Sequence, residues 1–181
     1  SMLACEVEGV KPYLITMAKG LRAGYVPMGA TMMSEKVYAG IADGAPEGAA
    51  IGHGATYSAH PVGAAVALEV LRLYEEGGIL ANGQRGAAHF AAGLDGLLDH
   101  PLVGDSRHRG LLGALELVSD KASKRRFDAS LGLSDRIFAA GYRNGLVFRS
   151  FGDHILGFAP ALTFTEDEFA QLFARLRKTL D

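Results

Sequence analysis

A lysine closes a short, largely apolar run and is followed at once by glycine. The run extends from Ile15 to Ala18, and Lys19 precedes Gly20 and Leu21. An amine at the end of an apolar strand is expected to be partly desolvated, which disfavours its ammonium form and leaves a nucleophile that can condense with a carbonyl group. Because most lysines at strand ends are simply solvated charges, this placement alone leaves both interpretations open.

A second segment combines glycine with hydroxyl side chains. Residues 52–61 read GHGATYSAHP, with Thr56 and Ser58 just before a helical stretch. Hydroxyls and unpaired backbone N–H groups near the start of a helix can bind phosphate oxygens, although a threonine here could equally cap the helix or form a turn. A lysine able to form a Schiff base and a phosphate-binding segment together suggest pyridoxal phosphate as the cofactor.

An arginine follows a third apolar segment. Arg149 comes directly after residues 146–148 and stands beside Gly152 and Asp153. A planar guanidinium can grip a carboxylate through two parallel hydrogen bonds, which suits an amino acid or keto acid substrate. The alternative is a surface salt bridge.

Alternating strand and helix patterns must position these three residues. The hydrophobic pattern predicts strands at 14–18 and 29–33 with an irregular connection at 20–28, a short helix at 35–41 capped by Ser34, and a loop at 44–54. A helix that begins near Pro61 and stops at Gly77-Gly78 has a wide apolar face, so we expect it to be well buried and to connect two lobes.

The second half of the chain predicts an α/β or α+β lobe. Its predicted elements are a helix at 79–99, a strand at 111–118, a polar surface stretch at 119–130, a helix at 134–144, a strand that begins at 146–148, a strand at 155–158, and a last helix that Thr165 and Glu168 cap.

Composition narrows the function classes. The chain has 181 residues, of which 49% are hydrophobic and 21% charged, and its formal net charge is −2. It can bury a core, and nothing in its charge favours nucleic acid or an anionic membrane as a partner. The single cysteine, Cys5, allows no intrachain disulfide, and no segment is apolar for long enough to span a bilayer. We therefore expect a cytoplasmic protein that acts on small molecules.

Several other polar residues have simpler interpretations. His53 and His60 lie in the glycine-rich loop without a third ligand nearby in the sequence, so loop hydrogen bonds are expected there and no metal site. The basic cluster at 121–126 is short and flanked by acidic residues, which predicts a solvated face. Glu166, Asp167 and Glu168 are expected to stabilise the start of the last helix.

The motifs occur in an order that resembles a known family over essentially the whole chain. They are Ala4-Cys5-Glu6, Pro12, Ile15 to Leu21, Gly24 to Ala30, Thr56-Tyr57-Ser58 with His60-Pro61, and Arg149 with Gly152-Asp153. The chain resembles the C-terminal part of the class III aminotransferases, pyridoxal phosphate enzymes that include omega-amino acid:pyruvate and 4-aminobutyrate transaminases.

The resemblance implies a fold and a role for each candidate residue. It implies pyridoxal phosphate fold type I, an α/β arrangement with the end of the large-domain sheet and an interdomain helix in residues 1–76 and a smaller C-terminal α+β domain in residues 77–181. Lys19 matches the Schiff-base lysine, which also moves a proton between substrate and cofactor. Thr56 matches the residue that binds the cofactor phosphate of the partner subunit in a homodimer. Arg149 matches the arginine that binds the substrate carboxylate.

The implied function is transfer of an amino group from an amine or omega-amino acid to a keto acid such as pyruvate. Relatives with a similar lysine segment act instead as mutases, racemases or decarboxylases, and an inactive fragment that serves as an oligomerisation module is a further alternative. Family members are more than twice as long, and their upstream portion supplies the carboxylate at the pyridine nitrogen, a ring-stacking aromatic and a Gly-Ser phosphate turn. We therefore expect this chain to be a portion of such an enzyme and to be an inefficient catalyst on its own. The sequence does not identify the amine and the keto acid on which the enzyme acts.

Overall fold

The computed structural model describes residues 2–47, 49, 52–152 and 154–181. The chain forms two compact units, Ser1–Gly78 and Ile79–Asp181. The assignment of these parts to a large and a small domain, with a boundary at 76, stays a prediction.

The first unit contains a two-stranded antiparallel sheet and three helices. Strand β1 (Leu14–Met17) pairs with β2 (Ala30–Met33), so that Leu14 lies opposite Met33 and Met17 opposite Ala30. The helices are α1 (Ala4–Val7), α2 (Glu35–Gly44) and α3 (Pro61–Glu76), and a short 3-10 helix spans Lys19–Leu21.

Two expectations for the helices of this unit are wrong. The Ser34 side chain forms no capping hydrogen bond with α2; its backbone carbonyl instead accepts from the N–H groups of Val37 and Tyr38, both at 3.0 Å. Helix α3 starts at Pro61 as predicted but is not well buried, because Leu68 is 68% exposed. Two short strands and their connections offer too little apolar surface to cover the wide apolar face of this helix.

The second unit is a four-stranded antiparallel sheet with helices. Its strands are β3 (Val103–Arg109), β4 (Leu112–Leu117), β5 (Arg149–Phe151) and β6 (Ile155–Phe158), in the spatial order β3-β4-β6-β5. Its helices are α4 (Ile79–Asp95), α5 (Leu133–Arg143) and α6 (Glu166–Leu180), with 3-10 helices at Gly96–Asp99 and Ala129–Leu131.

The core of this unit lies between one face of the sheet and the helices. Of the buried apolar side chains among the described residues, only those of Ala67 and Val70 belong to the first unit. Phe90 and Leu94 of α4 are fully buried and pack beside Gly113 of β4, where an added Cβ would overlap both side chains. The absence of a side chain at position 113 therefore lets α4 lie close to the sheet.

Strand boundaries differ from prediction at two places. The sequence analysis missed β3, and β5 begins at Arg149, after the predicted segment 146–148. The N–H of Leu146 donates to the carbonyl of Gly141 at 2.8 Å, so it is not available to the sheet. This hydrogen bond completes the end of α5 and follows Gly145, whose φ is +72°. Asp153, predicted in the turn between β5 and β6, lies outside the described residues.

The start of α6 confirms the predicted capping box. The Thr165 hydroxyl accepts from the N–H of Glu168 at 3.3 Å, and the Glu168 carboxylate accepts from the N–H of Thr165 at 2.7 Å. Within the described part of the chain, no helix has the length and apolar character that a bilayer crossing requires.

Candidate active site

Lys19 lies in a tight turn at the end of β1. The strand ends at Met17, and hydrogen bonds from the N–H of Leu21 to the carbonyl of Ala18 (2.7 Å) and from the N–H of Arg22 to the carbonyl of Lys19 (3.2 Å) form the turn. Lys19 itself has φ +26°, in a region that side-chain-bearing residues rarely adopt. Such conformations cost about 1–3 kcal/mol and concentrate at functional sites.

The Lys19 side chain is exposed, so the expected partial desolvation is wrong for this chain. The two-stranded sheet ends at the surface and leaves no apolar layer over the amine. Among the described residues, none forms a hydrogen bond or an ion pair with that side chain. The amine is therefore open to the approach of a carbonyl compound.

The connection after Lys19 lies along helix α3. Tyr74 donates a hydrogen bond from its hydroxyl to the carbonyl of Gly20 at 2.8 Å, near the C-terminal end of the helix. At the other end of the connection, Met28 lies against Gly63, and its carbonyl accepts from Nε of Arg22 at 2.7 Å. No local pattern in the sequence predicts these supports, since they are contacts between distant residues.

Thr56 begins the turn that enters α3. The Ser58 hydroxyl accepts from the N–H of Ala55 at 3.0 Å, and Ala59 has φ +56°. His60 forms a loop hydrogen bond, as predicted: its Nδ1 accepts from the N–H of Val62 at 3.2 Å. That bond occupies one helix N–H group that might have bound phosphate. The Thr56 hydroxyl has no hydrogen-bond partner among the described residues and is exposed.

The two turns lie at opposite ends of one helix. Tyr74, which contacts the Lys19 turn, is thirteen residues after Pro61, where the Thr56 turn ends. At 1.5 Å per residue, these two contact points are about 20 Å apart along the helix axis. The structure thus connects Lys19 and Thr56 through α3 without bringing them side by side.

Arg149 is the first residue of β5, whereas the sequence suggested the end of a strand. It is exposed and lies opposite Gly157 in the pairing of β5 with β6. An open groove of about 530 Å³ lies on this face of the sheet, with Leu112, Ala114 and Phe151 among its lining residues.

The charges around this groove leave Arg149 available. Arg107, opposite Ala114 on β3, pairs with Asp105 at 3.4 Å and with Glu116 at 3.3 Å. No hydrogen bond or ion pair involves the side chain of Arg149 in the part of the chain that the structure describes. Among the described residues, the guanidinium is thus open to a carboxylate, and both the carboxylate-binding role and the surface salt bridge stay predictions. Lys19 and Thr56 belong to the first unit and Arg149 to the second.

Comparison with known proteins decides the family. The model of the class III aminotransferases matches residues 1–180. The chain belongs to this family. It is 39% identical to diaminobutyrate–2-oxoglutarate transaminase of Halomonas elongata, over 96% of this chain and 37% of the relative. It is 38% identical to putrescine–pyruvate aminotransferase of Pseudomonas aeruginosa, over 97% of this chain and 38% of the relative.

Solved structures of class III relatives share the fold. An (S)-enantioselective omega-transaminase from Thermomicrobium roseum matches with a TM-score of 0.90 at 34% identity, over 97% of this chain and 38% of that one. The predicted fold, a portion of pyridoxal phosphate fold type I, is confirmed. The chain spans less than two fifths of the length of these three relatives.

Proposed function

We propose that this chain is the C-terminal portion of a pyridoxal phosphate-dependent aminotransferase, which moves an amino group from an amine or omega-amino acid to a keto acid such as pyruvate. The observation that carries the proposal is Lys19: an exposed amine, without a partner among the described residues, on a backbone turn with φ +26° just after strand β1. Its place in a chain of the class III family gives that amine a specific task.

The residues present fit pyridoxal phosphate in two respects, and a third residue fits a substrate. The Lys19 amine has no competing partner among the described residues, so it can hold the cofactor covalently. The Thr56 hydroxyl is equally unengaged in that part of the chain and can donate a hydrogen bond to a phosphate oxygen. Arg149, which has no ion-pair partner among the same residues, supplies a cation for the carboxylate of a substrate.

The chain's own residues divide the chemistry between them. Bound pyridoxal phosphate supplies an electron sink for the electron pair that the substrate carbon releases when it loses its proton. Once an amino substrate has displaced it from the cofactor, the Lys19 amine would take that proton at Nζ and deliver it to the cofactor carbon on the other side of the shared nitrogen. Arg149 orients acids and keto acids through its two parallel N–H groups. Thr56 fixes a phosphate.

The active site belongs to a homodimer in this proposal, and Thr56 binds the phosphate that the partner chain holds. The separation of the Lys19 turn and the Thr56 turn along α3 supports this arrangement. So does the surface of the first unit, where Tyr57 is 79% exposed and Leu68 68% exposed. Large exposed apolar side chains of this kind are typical of surfaces that another chain covers.

Another pyridoxal phosphate reaction and an inactive oligomerisation module are the alternatives. The exposed apolar side chains of the first unit favour the module no less than the dimeric enzyme. A half-reaction separates them: amine alone, added to the cofactor-loaded protein, should convert the cofactor to its pyridoxamine form and release a carbonyl product. A loaded protein that racemises, rearranges or decarboxylates the amine without this conversion is not a transaminase, and one that never binds the cofactor is not an enzyme of this type.

The named relatives act on 2-oxoglutarate and pyruvate as amino acceptors, and on diaminobutyrate and putrescine as donors. We propose an acceptor of the same chemical class, a 2-keto acid, because Arg149 offers a cation that no described residue pairs with. The cytoplasmic location stays a prediction from the sequence.

A further inference from the structure

Helix α3 is attached to the Lys19 turn by one side-chain hydrogen bond. The hydroxyl of Tyr74 donates to the carbonyl oxygen of Gly20 at 2.8 Å, across 54 positions of sequence. Gly20 follows Lys19 directly, so this carbonyl belongs to the residue next to the amine-bearing one. A Cβ added at Gly20 would lie 3.6 Å from the same hydroxyl, which shows how closely the turn approaches the helix.

The other hydrogen bonds of the turn cannot fix its position on the helix. The bonds from Leu21 to Ala18 and from Arg22 to Lys19 join residues within the turn, so they move with it. The bond from Arg22 to Met28 reaches α3 only indirectly, through the contact of Met28 with Gly63 near the other end of the helix. Among the hydrogen bonds of the described residues, the Tyr74 bond alone joins the peptide next to Lys19 directly to α3.

The backbone of Lys19 needs such a restraint. With φ at +26°, Lys19 can relax to a more favourable conformation unless surrounding contacts hold it. Because the direction in which the side chain leaves the backbone depends on that conformation, relaxation would move the amine away from its reacting partner. Small displacements of a reacting group cost large factors in rate.

We propose that Tyr74 is a positioning residue for Lys19. Through its hydrogen bond to Gly20, it holds the Lys19 turn against α3 and directs the Lys19 amine toward the cofactor carbonyl. This inference rests on the proposed function, in which Lys19 holds pyridoxal phosphate.

The test compares Tyr74→Phe with Tyr38→Phe. Phenylalanine keeps the ring of Tyr74 and removes only the hydroxyl that donates. Tyr38 lies on α2 of the same unit, is 51% exposed, and its side chain has no hydrogen bond among the described residues, so it controls for loss of a hydroxyl as such. Both variants and the parent, each within the full-length enzyme, are incubated with pyridoxal phosphate, reduced with borohydride, and mapped by mass spectrometry for the adduct at Lys19 relative to Lys36.

Two companion measurements separate positioning from a purely structural role. Acetylation by acetic anhydride reports the general reactivity and exposure of Lys19 and does not depend on the direction of the amine. Hydrogen exchange at the amides of Leu21 and Arg22 reports the restraint of the turn without any cofactor. A variant that merely loosens the fold changes acetylation together with pyridoxal phosphate labelling.

We expect Tyr74→Phe to lower the ratio of Lys19 to Lys36 labelling by about tenfold, to leave acetylation unchanged and to accelerate exchange in the turn. Tyr38→Phe should match the parent. Equal labelling ratios in Tyr74→Phe and the parent, with Lys19 preferred in both, would overturn the role of Tyr74 and leave the proposed function intact. A parent chain that shows no preference for Lys19 would instead overturn the proposed function, and the Tyr74 inference with it.

Discussion

Arg149 and Gly157 lie opposite each other where β5 pairs with β6, so an exposed guanidinium stands beside a residue that has no side chain. Gly157 leaves room that the ring of Phe151 partly fills, since an added Cβ would come within 2.5 Å of that ring. The next residue across the sheet, Ala114, is also small. The sheet surface beside Arg149 is therefore formed by small residues. A small carboxylate can approach the guanidinium there without a steric barrier.

Replacing Arg149 should weaken keto acid binding selectively. Arg149→Gln removes the charge and the parallel donors, and a hydrogen bond to a charged group contributes about 1.5–3 kcal/mol, so we expect the Kd for pyruvate of the cofactor-loaded protein to rise by about tenfold or more. Binding of an amine without a carboxylate should not change. Titration of both ligands measures the difference. Arg136→Gln is the control, because Arg136 is an exposed arginine on α5. Equal loss for both ligands in Arg149→Gln would contradict the assignment.

A partner chain with an intact Thr56 should restore cofactor binding to a Thr56→Ala chain. If Thr56 binds the phosphate held by the other subunit, a mixture of Lys19→Ala and Thr56→Ala chains forms dimers with one intact site. We expect Thr56→Ala alone to bind the cofactor about fivefold more weakly, because it loses one hydrogen bond that contributes about 1 kcal/mol. The mixture should retain the cofactor more tightly than this variant. The amount of cofactor that stays bound after dialysis measures this difference in retention. Thr56→Ser should bind like the parent. A mixture no better than the average of its two components would show that Thr56 acts within its own chain or not at all.

Gly113 should tolerate no side chain. Gly113→Ala places a Cβ against Leu94 and Phe90, which are fully buried, so the second unit should lose about 1–3 kcal/mol of its free energy of unfolding. Denaturant titration measures the loss. Gly96→Ala is the matched control, since a Cβ there meets nothing within 4 Å. Comparable stability of the two variants would mean that α4 does not lie as close to β4 as described.

The α6 capping box should make stability depend on pH. Hydrogen bonds from the backbone N–H and the hydroxyl of Thr165 hold the pKa of Glu168 below its ordinary value of 4.5. A carboxyl whose pKa falls on folding stabilises the folded state fully above its unfolded-state pKa, and this contribution is lost as the pH falls through the folded-state value. Thermal unfolding followed from neutral to acidic pH should therefore show a shallower acid decline for Glu168→Gln than for the parent.

Asp167→Asn is the control for the capping box, because Asp167 lies in the same turn without a hydrogen bond among the described residues. Because Asp167 shares only the favourable charge at the start of the helix, its acid decline should lie between those of the parent and Glu168→Gln. Parallel curves for Glu168→Gln and the parent would show that the box does not persist in solution.

The positions of the longer helices could be predicted from the sequence because their signals are local, whereas the four-residue helix α1 was not predicted. Pro61 starts α3, and Thr165 with Glu168 starts α6, as the capping pattern indicates. Strand β3 was missed because its residues 104–109 are mostly polar and charged; it is a strand because β4 offers it a partner. Pairing partners of this kind are distant in sequence, and no local pattern encodes them.

Candidate site residues could be named from the sequence, but their surroundings could not. Lys19 was expected to be partly desolvated because an apolar strand precedes it, yet the structure exposes it, since a two-stranded sheet provides no covering layer. Tyr74 carried no local signal, because its importance lies in a contact with Gly20 across 54 positions. The exposed face of α3 likewise depends on which surfaces fold against it.

The covalent attachment of pyridoxal phosphate to Lys19 is the central claim. The most direct measurement incubates the full-length enzyme that contains this chain with pyridoxal phosphate, reduces it with borohydride, and locates the adduct by peptide mass spectrometry, with Lys19→Ala alongside. We predict that Lys19 carries the adduct in preference to the exposed Lys11 and Lys36, and that the visible absorbance of the loaded protein disappears in Lys19→Ala. Labelling spread evenly over the exposed lysines, or unchanged absorbance in Lys19→Ala, would contradict the account.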